Sequence, residues 1–128
     1  MTQPAPAHQL HIEDRLAVFR PAPVELLREA VDLVEQAIDA ARRQRCISLL
    51  VVYEAPGGFA PPSLALRQDI MRRWARAADG VLRIAMVLPV RYIDEERFGV
   101  AAALNYGLSS SVFTTEAEAR AWLDAHQG

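Results

Sequence analysis

Residues 54–63 run EAPGGFAPPS, offering an acid, an aromatic, a hydroxyl and two glycines within one short stretch. They follow the apolar run CISLLVV, Cys46 to Val52, and precede a segment of helical periodicity. A glycine-bearing loop from strand to helix is where α/β sheets cradle phosphate, because backbone N–H groups and a helix start converge there. This loop lacks the rest of that machinery. It contains neither GxGxxG nor GxxxxGK[ST], and Pro61 and Pro62 remove two backbone donors that a phosphate nest would use. It does offer a helix start at Ser63, with Arg67 one turn further in, where free N–H groups and a guanidinium can hold a carboxylate or phosphate. Glu54 closes the strand and Phe59 sits on the loop, so both can face a crevice there. Asn105, in a segment with small residues at Gly99 and Ala103, is a candidate for the crevice wall. Glu54, Phe59, Ser63, Arg67 and Asn105 are therefore the candidate ligand or partner site.

Other chemistries find less. Nucleophilic catalysis needs a serine or cysteine beside a base and an orienting group. The chain has no GxSxG, and Ser109–Ser111 reads as a polar turn. Cys46 is the one cysteine and borders the apolar run, as expected of a small buried hydrophobe. His8, His11 and His126 lie near the two ends and no HExxH occurs, so neither a metal nor a cofactor is expected. No catalytic residue is assigned, and the chain is expected not to be an enzyme.

The 14 basic side chains are all arginine and stand against 16 acids, for a net charge of -2. That balance supplies no electrostatic footprint for nucleic acid. Arg42-Arg43-Arg45 and Arg72-Arg73-Arg76 are at helical spacing, which suits solvated helix faces first and a small anion or acidic partner second. No run approaches the roughly 18–20 apolar residues that span a bilayer, and the start MTQPAPAHQ lacks the pattern of a signal peptide. A lone cysteine fits a reducing compartment. A cytoplasmic protein without membrane insertion is expected.

The elements that would position these residues follow from periodicity. Residues 1–8 are rich in Pro and Ala and read as a disordered tail, with a single domain over 9–128. QLHIEDRLAVFRP alternates on either side of Glu13-Asp14-Arg15 and predicts a hairpin. From Pro23 to Arg45 apolar residues recur three or four apart, predicting a helix with acids early and arginines late, as its dipole favours. ISLLVVYEA predicts a strand covered on both faces. A second helix should start at the cap Ser63 and stop at Gly80. VLRIAMVLPV predicts a strand, residues 93–108 a third helix, SSVFTT a strand, and TEAEARAWLDAH a last helix capped by Thr114 or Thr115. The order ββαβαβαβα implies an α/β fold: a mixed, mostly parallel sheet of about five strands with an N-terminal hairpin and about four helices.

That order, together with GFAPPS followed by Arg67, the Trp74-Ala75 pair, the RIAMV strand, the Arg97–Leu108 segment and the ending VFTTEAEARAWL, resembles bacterial STAS/SEC14-like proteins with the sporulation anti-sigma-factor-antagonist fold. The likeness covers residues 9 to 126. It implies a STAS-like domain of regulatory or protein-interaction type, with a homodimer or another protein as partner. The SEC14-like side of the resemblance implies an apolar ligand pocket. Signalling members of the antagonist family carry a phosphorylatable serine in an Asp-Ser pair at the start of the corresponding helix. Here Ser63 is the nearest hydroxyl, and it follows Pro61-Pro62 with no aspartate before it, which argues against a phosphorylation switch. The function expected is a non-enzymatic regulatory or protein-interaction domain. The alternative is a module, or weak enzyme, that takes a small anionic or apolar ligand near Ser63 and Arg67.

Overall fold

The computed structural model describes residues 9–53, 63–89 and 110–125. Its elements in chain order are β1 (Gln9–Glu13), β2 (Leu16–Arg20), α1 (Leu27–Arg43), β3 (Ser48–Val52), α2 (Leu64–Ala78), β4 (Arg83–Val87), β5 (Ser110–Phe113) and α3 (Glu116–Ala125). The strands form one mixed sheet in the order β1-β2-β3-β4-β5. β1 is antiparallel to β2, and all other pairs are parallel. This is the expected α/β architecture, with three helices among the described residues. The tail 1–8, the loop 54–62 and the helix expected over 93–108 lie outside the described residues.

Period-two alternation along the strands divides the core into two layers. Ala17, Phe19, Leu49, Val51, Ile84 and Met86 pack with α1 and α2. Val18, Leu50, Val52, Ala85 and Val87 pack with Ala119 and Leu123 of α3. β3 lies between β2 and β4 and is buried at every position, which is why SLLVV shows no polar alternation. The hairpin closes through Asp14-Arg15, since Glu13 pairs with Leu16. Asp14 adopts φ of 55°, a left-handed conformation that a short polar side chain tolerates better than most.

α1 begins at Leu27, four residues after the Pro23 start that periodicity suggests. Leu26 has extended backbone (φ -113°, ψ 139°), and its N–H donates to Glu29 Oε1 at 3.2 Å. A leucine side chain accepts nothing, so the acid three residues on does this capping alone. Glu25 therefore precedes the helix, and Arg28 falls in its first turn. At the other end Cys46 N–H donates to Ala41 O at 3.0 Å and Arg45 N–H to Arg42 O at 2.9 Å. These are the two bonds of a Schellman motif, with Arg45 in the left-handed position (φ 64°) where glycine is usual. Cys46 is the apolar residue that seals the motif, and burial pushes its thiol pKa up. α2 ends through Asp79 (φ 52°) and Gly80 (φ 70°), the stop expected from the glycine. Arg42 fastens the two helix ends together, donating to Ala77 O at 3.0 Å and to Asp79 Oδ2 at 3.5 Å. Among the described residues no helix is long and apolar enough to cross a membrane.

Candidate functional site

Of the residues singled out from sequence, Ser63 and Arg67 are described; Glu54, Phe59 and Asn105 lie outside the described residues. Ser63 is exposed and caps α2 as expected, its Oγ accepting the Leu66 N–H at 3.3 Å. Its carbonyl accepts the Arg67 N–H at 2.9 Å, closing the first helical turn. Arg67 is only 4% exposed and is held by an interaction within the fold. A buried guanidinium without compensation would cost several kcal/mol, so Arg67 is a fixture of the interior and not a freely presented surface cation. The helix start and the arginine one turn inward thus differ sharply in access to solvent. Ligand crevices in open α/β sheets form where strand order reverses. Among the described strands the order runs 1 to 5 without reversal, so topology itself opens no such crevice.

Two ionic networks organise the described charges. On one face Arg120 donates to Glu13 (3.1 Å) and Glu116 (2.9 Å), and Arg20 donates to Glu116 at 2.9 Å. These bonds tie α3 to both strands of the hairpin. The Arg120 hydrogen bond holds the Glu13 carboxyl below its ordinary pKa, and the Arg20 bond does the same for Glu116, with Arg120 adding to it. On the other face Arg73 of α2 donates to Asp32 (2.8 Å) and to Glu35 of α1. Trp74 Nε1 donates to Val31 O at 3.3 Å and crosses the same helix pair in the core. Arg42 and Arg73 are therefore clasps between α1 and α2, where their spacing alone suggested solvated faces.

Beside these clasps a groove of about 400 Å³ runs between α1 and α2. Its apolar lining is Leu27, Val31, Leu66 and Ile70, and Arg28, Arg72, Arg73 and Arg76 stand around it with Asp69. Sequence reasoning noted the arginine cluster on α2 but not the groove, because the apolar half comes from two helices whose relative register no local pattern encodes. Among the described residues no group of three His, Cys, Asp or Glu could hold a metal ion.

No protein-family model and no curated protein matches the chain. Among solved structures it is similar to the anti-sigma factor antagonist SpoIIAA in its unphosphorylated form, with a TM-score of 0.52 and 19% sequence identity. The match covers 95% of this chain and 100% of that one. The fold is STAS-like. At that identity the likeness extends to the path of the chain and not to individual side chains. In this STAS-like fold Ser63 stands at the start of α2, and its hydroxyl is committed to its own helix by the Leu66 N–H bond.

Proposed function

We propose that the chain is a non-enzymatic regulatory domain of STAS-like type that acts by binding protein, either a second copy of itself or another chain. The observation that carries this is the likeness of fold, along nearly its full length, to a protein named as the antagonist of an anti-sigma factor. The chemistry of the described residues agrees with it. The acids nearest the sheet and helix interfaces are committed to ion pairs that hold elements together, as Glu13, Glu116, Asp32 and Glu35 are. A small anion at the Ser63 helix start has less support, since Arg67 is buried and engaged and the Ser63 Oγ is already bonded.

The test is cross-linking in intact cells of the native host, followed by affinity purification of the tagged chain and sedimentation of the pure protein. A dimer, or one partner recovered in fixed stoichiometry, is the expected outcome. A strictly monomeric particle with no cross-linked partner overturns the assignment.

A further inference from the structure

The groove between α1 and α2 combines features that a helix pair does not need for its own stability. Val31 and Ile70 are each 5% exposed and form its floor, while Leu66 stands at its edge with 44% of its surface open to solvent. Around that apolar strip the charges are unequally used. Arg72 is paired with Asp69 at 2.9 Å, and Arg73 with Asp32 and Glu35. Arg28 and Arg76 make no hydrogen bond or ion pair among the described residues. Arg28 also sits in the first turn of α1, where the helix dipole disfavours a cation by about 0.3–1 kcal/mol. Glu29, the acid in the same turn, accepts the Leu26 N–H, and the neighbouring first turn of α2 carries no acid. A locally unfavourable charge with no compensating partner among the described residues marks a position suited to a group outside them.

The shape of the groove narrows the occupant. Its lining follows α2 from Leu66 to Arg76, a length of about 15 Å at 1.5 Å per residue. α1 and α2 connect successive parallel strands, so they run in the same direction. Arg28 is in the first turn of α1 and Arg76 in the last turn of α2, which places the two uncommitted cations toward opposite ends of the groove. An elongated apolar strip with a cation toward each end suits an amphipathic helix better than a compact metabolite.

We propose that this groove is the docking site for an acidic amphipathic helix of a partner protein. Two or three apolar side chains of that helix, spaced three or four residues apart, cover Leu66 and the floor, and its Asp or Glu side chains pair with Arg28 and Arg76. The assignment rests on the protein-interaction role proposed above and adds to it the surface and the chemistry of the partner.

The probe is a capped, fluorescein-labelled, helix-forming peptide of about 15 residues with leucine on one face and glutamate on the other. Its control has lysine in place of every glutamate. Binding to the full chain is read by fluorescence anisotropy and mapped by amide NMR shifts, with vesicles of phosphatidylglycerol as a second probe. The glutamate peptide should bind at least about tenfold tighter than the lysine peptide, with the difference shrinking as salt rises. The double variant R28E/R76E should reverse that preference, and Leu66→Gln should weaken both peptides. Both variants alter solvent-facing positions, and thermal melts of each confirm folding; an R28E chain should melt no lower than wild type, because glutamate suits a helix start.

Failure of the glutamate peptide to bind, equal affinity for both peptides, indifference to R28E/R76E, or NMR shifts elsewhere overturns the assignment. Capture by vesicles without peptide binding overturns it in favour of a membrane surface, and self-association abolished by Leu66→Gln overturns it in favour of a second copy. A partner cross-linked in the native host and retained by R28E/R76E leaves the protein-interaction role standing and removes the groove from it. Charge-dependent peptide binding in the groove with no partner found in cells does the opposite.

Discussion

Replacing Ser63 separates what its hydroxyl does for α2 from what a charge at the same position would do. The Oγ accepts the Leu66 N–H at 3.3 Å, slightly long for such a bond, and no acid lies in the first turn to share the work. Ser→Ala at a cap costs 0.5–2 kcal/mol in general, and the length of this bond places Ser63→Ala in the lower half, about 0.5–1 kcal/mol. For a chain of 128 residues this corresponds to a fall in Tm of about 2–5 °C. Ser63→Gly should lose only a few tenths of a kcal/mol. Ser63→Asp keeps the acceptor and adds a negative charge where the dipole favours one, so it should equal wild type or exceed it by about 0.3–1 kcal/mol at low salt. That gain should shrink in high salt. Urea unfolding of the four proteins at low and high ionic strength gives the order Ala, Gly, Ser, Asp from least to most stable. If Ser63→Ala melts with wild type, or Ser63→Asp falls as far as Ser63→Ala, the hydroxyl is not holding the helix start and the capping geometry is wrong.

Arg45→Gly should raise stability by about 0.3–1 kcal/mol, since the left-handed conformation costs a side-chain-bearing residue about 1–2 kcal/mol and glycine returns part of that as unfolded-chain entropy; Arg45→Ala is the control, and a ranking of Ala above Gly in denaturant titrations would contradict the Schellman assignment. Trp74→Phe removes the bond to Val31 O and some core volume, and should cost roughly 1–3 kcal/mol by urea unfolding; an unchanged midpoint would show that Trp74 does not join α1 to α2. The carboxyls of Glu13 and Glu116 have lowered pKa values in the folded state, so their contribution to stability is present above the ordinary glutamate value of 4.5 and is lost as pH falls through the lowered one. Glu116→Gln should therefore be less stable than wild type at pH 7, by no more than about 1 kcal/mol for so exposed a pair. Titrations with denaturant at successive pH values should show that gap closing below pH 4.5, and a gap that is constant down to pH 3 would remove Glu116 from the network.

The parts of the fold visible in the sequence are those set by neighbours along the chain. SLLVV had to be an interior strand because no position in it is polar enough to face water, apart from Ser48 at its edge. Ser63 and Gly80 bracket α2 because a cap acceptor and a left-handed stop are local requirements. Thr115 likewise caps α3, its Oγ1 accepting the Glu118 N–H at 3.2 Å. The start of α1 was misplaced because apolar spacing continues through Val24, while the turn is actually set by Glu29 reaching back to Leu26. What local pattern could not show is pairing across distance. Arg120 meets Glu13 across 107 positions and Arg73 meets Asp32 across 41. Nothing in either neighbourhood names its partner. The candidate site suffered in the same way. Ser63 and Arg67 lie one helical turn apart, yet the first is exposed and the second buried, a difference that spacing along one helix does not encode.

The unreversed strand order also bears on how the chain reaches its native state. Among the described residues each strand after β1 pairs with the one before it, so it leaves the ribosome with that partner already synthesised. The hairpin can form first, and each later strand closes a loop of modest length onto the growing edge, at a loop entropy that rises only slowly with length. A sheet whose strand order reversed would have to hold an edge open until a distant segment arrived, with apolar surface exposed to aggregation in the interval. This topology lets pairing keep pace with translation, each described strand after β1 docking on the edge made just before it.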